Sequence, residues 1–338
     1  MLELIIITIV LALLFDFVNG FHDSANAIST VVATKVLTPL QAVAMAAVGN
    51  LIGPLFFTTA IAATMGKGII DTDAIRAILS VPQFVALILA ALIGAIIWDL
   101  ITWILGLPTS SSHALIGGLV GAASVSVGTK YIIASGVEKV LLFIVLSPLL
   151  GFFAAFLMAA IVMHIMRKST PVAVNGHFKR LQLFSAFFYS VTHGTNDAQK
   201  TMGIISILLF SAGYLGPEFY VPMWVVVLSA VTICAGTLLG GKRVVETMGL
   251  RLISIRPVDG FAAETAGAGT IIASSMLGVP VSTTHVICGS IVGVGMAKRA
   301  NKIRWPIARH IFWAWVFTIP VAAISGAIIL TTIKAAGF

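Results

Sequence analysis

Asn19-Gly20-Phe21-His22-Asp23-Ser24-Ala25-Asn26-Ala27 lies in the middle of an apolar run over residues 2–36. Thr192-His193-Gly194-Thr195-Asn196-Asp197-Ala198-Gln199-Lys200-Thr201 lies in the middle of another, over 181–215. Placing Gly20 on Gly194 sets Asp23 on Asp197 and Asn26 on Lys200. An ionisable side chain at membrane depth is costly, so its default reading is functional. Polar, Gly-containing interruptions at matching places in two halves are the mark of discontinuous helices around a central binding site. A continuous helix over residues 2–36 would be about 52 Å long, against a hydrocarbon core of about 30 Å. Both runs are therefore expected to break, the first near Gly20 and the second at 193–201.

Composition agrees. Of the 338 residues, 59% are hydrophobic and only 9% charged, with a mean hydropathy of +1.09. Soluble domains carry about a quarter charged residues, so the chain reads as an all-α polytopic membrane protein with about ten to twelve transmembrane segments. The net charge of +8 does not indicate a nucleic-acid surface, because the basic residues sit between apolar runs. Met1-Leu2-Glu3-Leu4 has no basic leader, so the first run is expected to be a retained helix. Cys234 and Cys288 both lie in apolar segments and suggest neither disulfide nor metal.

A second pair of motifs confirms the internal repeat. Gly106-Leu107-Pro108-Thr109-Ser110-Ser111-Ser112-His113 and Gly278-Val279-Pro280-Val281-Ser282-Thr283-Thr284-His285 stand 172 residues apart. Over Gly106–Gly121 and Gly278–Gly293, seven of sixteen positions are identical, and Ser111/Thr283 and Ser112/Thr284 keep a hydroxyl. Each motif joins two apolar segments into a hairpin with a Ser/Thr tip. The expected organisation is an N-terminal repeat over 1–166, a polar cytoplasmic linker over 167–180 and a C-terminal repeat over 181–338. If each hairpin returns to the side it entered, each half crosses three times and the second copy is inverted. With the linker inside, fourteen of the twenty Lys and Arg residues fall inside and five outside, with Lys200 in the membrane. This is the cytoplasmic bias of membrane proteins, with both termini outside.

The site candidates follow from chemistry. Asp23 and Asn26 share a helix face, as do Asp197 and Lys200. Two buried aspartates repel unless cations or protons neutralise them. With Asn26, Asn196 and Gln199 nearby they suit a small hard cation or protons, or they simply cap helices at a break. Ser110, Ser111 and Ser112, and Ser282, Thr283 and Thr284, follow a proline, where a helix start offers free N–H groups, a positive dipole end and hydroxyls. That is an oxyanion cradle, and it is also what plain N-capping looks like. Glu264 is the best further candidate for a coupling-ion or proton site, with Asp16 and Asp99 as other intramembrane acids. His113 and His285 read as helix-packing hydrogen bonders; for His22 and His193 a proton relay is the lesser alternative to the same packing role.

These four motifs, with Ala314-Trp315-Val316-Phe317-Thr318-Ile319-Pro320, resemble the inorganic phosphate transporter (PiT) family over essentially the whole chain, most closely its bacterial Pit-type permeases. The resemblance implies two inverted repeats with hairpins ending inside the membrane, and import of inorganic phosphate coupled to H+ or Na+ by alternating access. It also implies an inner-membrane location and a homodimer. Phosphate would meet Ser110, Ser111, Ser112, Ser282, Thr283, Thr284, Asn196, Gln199 and Lys200. The cation would meet Asp23, Asn26, Asp197, Asn196 and Glu264, with Asp23 and Asp197 as metal ligands if the ion is Na+. No cofactor and no catalytic residue is expected. Another oxyanion such as sulfate is the alternative cargo. An intramembrane Ser/His hydrolase is the alternative class, but its single nucleophile would not need two symmetric triplets.

Overall fold

The computed structural model describes residues 1–56, 59–278, 281–298 and 300–337. Pro280, which the hairpin reading used, and Arg299, counted among the inside charges, lie outside them. The described residues form helices and no strand, apart from one isolated bridge between Ile70 and Ile132. The first half contains α1 (Leu2–Ala33), α2 (Pro39–Phe56), the short α3 (Ala60–Lys67) and α4 (Thr72–Ile78), α5 (Val81–Leu105), α6 (Ser111–Ser126) and α7 (Ala134–Ile165). The second half contains α8 (Pro171–Ser211), α9 (Met223–Leu239), the short α10 (Lys242–Val245) running into a π-helical turn over Glu246–Arg251, α11 (Pro257–Met276), α12 (Thr283–Lys298) and α13 (Trp305–Ala335). Long helix, span, short helices, hairpin and span recur in the same order.

Both predicted breaks are absent. α1 runs for 32 residues and α8 for 41, each straight through its polar stretch. The glycines bring helices together instead of interrupting them. A Cβ on Gly20 would lie 2.4 Å from the carbonyl oxygen of Ile233, and one on Gly194 would lie 2.5 Å from Cα of Asn50. The polar side chains find their partners on neighbouring helices, so the backbone never has to open to satisfy them. At 1.5 Å per residue α1 is about 48 Å long, a length that tilt and projection beyond the hydrocarbon accommodate. The polar segment 171–180, expected as loop, is the start of α8: Thr170 accepts from the N–H of Ala173 and Pro171 takes the first helical position.

Against the ten to twelve expected segments, eight helices among the described residues reach 17 residues. Five of them, α1, α2, α5, α7 and α13, are long and apolar enough to cross a bilayer by themselves, and six if α9 is counted with the segment after it, from which it is bent by 67°. The shortfall has a physical origin: α8 and α11 carry the polar residues of the interior, and α6 and α12 are only 16 residues long. Exposed Leu142, Val145, Phe153 and Leu157 on α7, and Trp313, Phe317, Ile324 and Ile328 on α13, form apolar outer faces that suit lipid and not water.

Each hairpin bends at a left-handed glycine, Gly106 (φ 67°) or Gly278 (φ 66°), the usual stop for a helix end. The halves then interlock. α6 packs along α13 and α12 along α7, while α1 packs on α9 and α2 on α8. The hairpin seams are glycine seams. A Cβ on Gly121 would sit 1.9 Å from the carbonyl oxygen of Ala323, and one on Gly289 or Gly293 would sit 2.1 or 2.2 Å from those of Pro148 and Phe152. Small residues four apart let helix backbones touch where no hydrophobic drive separates them from lipid.

Gly121→Ala and Gly289→Ala should each destabilise the protein by about 1–3 kcal/mol, the usual cost of overpacking. Gly176→Ala, with nothing within 4 Å of its added methyl, should leave stability equal or higher. Thermal unfolding in detergent checks this; equal midpoints for the three variants would show that the seams are not close-packed.

Candidate functional site

The two polar stretches meet at the centre of the molecule, where the hairpin tips also arrive. Asp23, Asn26, Asn196, Asp197, Lys200, Ser111, Thr283 and Thr284 are all at most 2% exposed. The helical register explains the grouping: Asn19, Asp23 and Asn26 recur at one turn on α1, and His193, Asp197 and Lys200 do so on α8. The tips arrive as helix starts. Ser110 Oγ accepts from the N–H of His113 at 3.3 Å, and Ser282 Oγ from that of His285 at 3.2 Å. Capping and site are thus divided within each triplet. The first hydroxyl caps the helix, and the following ones, Ser111 and Thr283, face the acids.

On the α8 side, Lys200 Nζ lies 3.1 Å from Asp197 Oδ2 and donates to Ser111 Oγ at 2.8 Å. Asn196 Nδ2 donates to Asp197 Oδ1 at 2.9 Å and to the carbonyl of Val281 at 3.1 Å. Thr283 Oγ1 is 3.5 Å from Asp197 Oδ1. On the α1 side, His22 Nδ1 is 2.8 Å from Asp23 Oδ1, and its Nε2 is 3.2 Å from Thr102 Oγ1. Asn26 Nδ2 donates to Thr284 Oγ1 at 2.8 Å and reaches Thr283 Oγ1 at 3.4 Å. Thr284 Oγ1 donates in turn to the carbonyl of Thr109 at 2.9 Å, tying tip to tip.

Asn19 stands between the acids. As placed, its Oδ1 accepts from Ser111 Oγ at 2.6 Å; with the amide oxygen and nitrogen exchanged, which suits the acceptors around it, the nitrogen donates to Asp23 Oδ2 and Asp197 Oδ2, each at 3.2 Å. Sequence reasoning missed this residue, although it sits one helical turn before Asp23 and takes the place that His193 takes before Asp197. Oxygen or nitrogen atoms of Asp23, His193 and Asp197 lie within 4.8 Å of one another. Two carboxylates and an imidazole are a donor set that a small cation can use, and the neighbouring ammonium limits how much positive charge it admits.

Two candidates lie elsewhere. Gln199 Oε1 accepts from the N–H groups of Ile61 and Ala62, at 2.9 and 3.3 Å, and its Nε2 donates to the carbonyl of Thr195. Its amide is used up in holding the start of α3. Glu264 forms a centre of its own on α11, accepting from Thr30 at 2.6 Å, from Gln182 at 2.9 Å, and from Ser185. Gln182 accepts from Thr34 at 2.9 Å. This cluster joins α1, α8 and α11, and no motif spacing marked Thr30, Gln182 or Ser185 for it. His113 and His285 pack on each other, edge to face, with ring centres 4.9 Å apart, and His285 stacks on Trp315 at 4.0 Å. Their ring nitrogens have no hydrogen-bond partner among the described residues, so they fill space where hydrogen bonding was expected. Asp16 and Asp99 are fully buried on α1 and α5, and their carboxylate oxygens have no hydrogen-bond partner among the described residues.

Comparison with known proteins gives a consistent picture. Residues 19–326 match the phosphate transporter family. A Rhizobium meliloti (strain 1021) protein named "Probable low-affinity inorganic phosphate transporter" is 51% identical, the match covering 95% of this chain and 93% of that one. A Bacillus subtilis (strain 168) protein of the same name is 42% identical, over 97% and 96%. A solved structure titled "The sodium-dependent phosphate transporter" shares the fold, with a TM-score of 0.87 at 24% identity, covering 98% of this chain and 99% of that one.

Asn19→Ala should cost about 1–3 kcal/mol, because two buried carboxylates lose their shared donor. Adding Asp23→Asn should recover part of that loss, since a neutral amide no longer needs the donor. A double-mutant cycle by thermal unfolding measures the coupling; strictly additive losses would mean the amide does not serve the acids.

Proposed function

The chain belongs to the phosphate transporter family, and we propose that within it the protein is a secondary symporter that imports inorganic phosphate with H+ or Na+ by alternating access. The observation that carries this reading is the Lys200–Ser111–Asp197–Asn19–Asp23 constellation, to which both long helices and a hairpin tip contribute. Phosphate presents oxygens that accept hydrogen bonds, and Ser111, Ser112, Thr283, Thr284, Asn26, Asn196 and Lys200 supply hydroxyls, amides and an ammonium at two helix starts. A doubly charged anion does not enter a low-dielectric interior alone. A cation or proton on Asp23 and Asp197 lowers the repulsion it would meet there.

In the present arrangement the donors are satisfied by one another: Lys200 by Asp197 and Ser111, Asn26 by Thr284, and Thr284 by Thr109. Admitting an anion means exchanging these contacts for contacts to phosphate. Because the same contacts tie the hairpin tips to each other and to α1 and α8, exchange at the site is linked to movement of the hairpins. Glu264, whose cluster joins α1, α8 and α11, is the natural second place for a coupling proton or cation. In this reading the repeats, 1–166 and 181–338, are inverted across an inner membrane with both termini outside, the linker at 167–180 is cytoplasmic, and two copies form a homodimer.

Labelled-phosphate uptake into proteoliposomes, with a sodium gradient and a proton gradient imposed separately, tests the function; sulfate competition tests the cargo. Asp23→Asn and Asp197→Asn should each abolish accumulation while leaving a folded, inserted protein. Near-normal uptake by either variant would remove that carboxylate from the mechanism. Ser111→Ala should weaken phosphate binding by about 0.5–1.5 kcal/mol, one hydrogen bond's worth. An effect on cation dependence alone would take Ser111 out of the anion site.

Single cysteines test the topology. At Asp73, an exposed position on α4, a cysteine should label from outside, and at Gly176, on the first turns of α8, from the cytoplasm. Labelling of both from one side would exclude the inverted arrangement.

A further inference from the structure

We propose that the Lys200 ammonium is a resident cation that takes the place of one coupling cation, so that the half of the site built on α8 works without an exchangeable ion. The inference rests on the reading of this centre as a cation-coupled phosphate site. It starts from an asymmetry within the repeat. The repeat sets Asn26 against Lys200, and the two side chains make mirrored contacts. Each leaves its own long helix, beside its own aspartate, and reaches the hairpin tip of the other half. Asn26 donates to Thr284 and Thr283, while Lys200 donates to Ser111, the counterpart of Thr283. What differs is the charge delivered to that position.

On the α1 side the position is open to a cation. Asn26 Oδ1 is buried and has no hydrogen-bond partner among the described residues, and with the Asp23 carboxylate it offers oxygen to a small ion. On the α8 side the equivalent place holds Nζ of Lys200, 3.1 Å from Asp197 Oδ2. An ammonium there donates where an ion would need lone pairs, and it repels a second cation.

The charge count leads the same way. With the histidines neutral and the buried, unpartnered Asp16 and Asp99 protonated, Asp23 and Asp197 bring two negative charges and Lys200 one positive, leaving a single negative charge for one monovalent cation or proton. With Lys200 replaced by Asn, two negative charges stay buried at Asn19, an arrangement that is strongly unfavourable unless a further cation comes in. The lysine therefore sets how many ions accompany each phosphate.

The test compares the parent with Lys200→Asn and Lys200→Arg, purified as full chains. Phosphate binding is titrated at fixed pH and ionic strength while Na+ replaces choline. Without Na+, Lys200→Asn should bind phosphate at least about tenfold more weakly than the parent and should recover as Na+ is added. Its slope of log affinity against log Na+ should exceed the parent's by about one, as linkage of one more ion requires. Lys200→Arg, which keeps the charge, should keep the parent's slope. In proteoliposomes the ratio of sodium to phosphate taken up should rise by about one in Lys200→Asn.

An unchanged slope would overturn the proposal. So would a Lys200→Asn protein that binds no phosphate at any Na+ concentration, for the lysine would then be an anion ligand only. Failure of Lys200→Asn to fold even in high Na+ would overturn it too, since a bound ion is meant to replace the ammonium. A second readout does not depend on phosphate: Na+ over choline should raise the unfolding temperature of Lys200→Asn more than that of the parent. Absence of that difference overturns the resident cation even if phosphate proves not to be the cargo, whereas a parent indifferent to phosphate with the stabilisation intact overturns only the cargo.

Discussion

Two carboxylates, Asp23 and Asp197, sit almost fully buried at the centre of a helical membrane protein, and much of the architecture follows from keeping them there. Unpaired, either would be prohibitive in a low-dielectric interior. They are held by an amide shared between them, by an imidazole beside each, by an ammonium on one, and by hydroxyls from the hairpin tips. Their partners come from both halves of the chain, so the centre exists only when the halves are assembled.

The interlocking of the halves meets that requirement. Helix starts cannot be placed at mid-depth without something to seat the hairpins that carry them. Here each hairpin helix lies in a glycine seam against the last long helix of the other half, α6 on α13 and α12 on α7. Of the glycines that recur between the two hairpins, Gly106/Gly278 make the bends, and Gly117/Gly289 and Gly121/Gly293 belong to those seams and not to the site. Their recurrence reflects one packing solution used twice, and it sets the Ser/Thr tips opposite the acids with the accuracy of backbone contact.

Between the two polar clusters the differences are local and chemical. Asn26 and Lys200 occupy mirrored places with different charge. Asn19 and His193 stand one turn before the two aspartates with different donors. Glu264 has its cluster on one side only, where Gln182, Ser185 and Thr30 converge. The two halves thus carry unequal polar clusters, and the proposed coupling of an anion to its accompanying ions rests on that inequality.

The sequence alone determined the class, and it pointed to the repeat and to most of the residues that meet at the centre. Apolar runs too long and uncharged for water imply a membrane, matched motifs imply two copies of one unit, and ionisable residues inside such runs mark the site. Asp23, Asp197 and Lys200 were legible for that reason, Asn26 by its place one turn from Asp23, and Ser111 and Thr283 by the paired hairpin motifs. Tertiary structure decided the rest. The polar stretches stay helical because neighbouring helices, which no local pattern reveals, satisfy their side chains. Gln199 is diverted to hold α3, and His113 and His285 pack ring against ring. Asn19 becomes the bridge between the acids only because two helices separated by more than a hundred residues bring Asp23 and Asp197 to its two sides. Spacing along one helix reports which residues share a face; which face meets it is settled by packing.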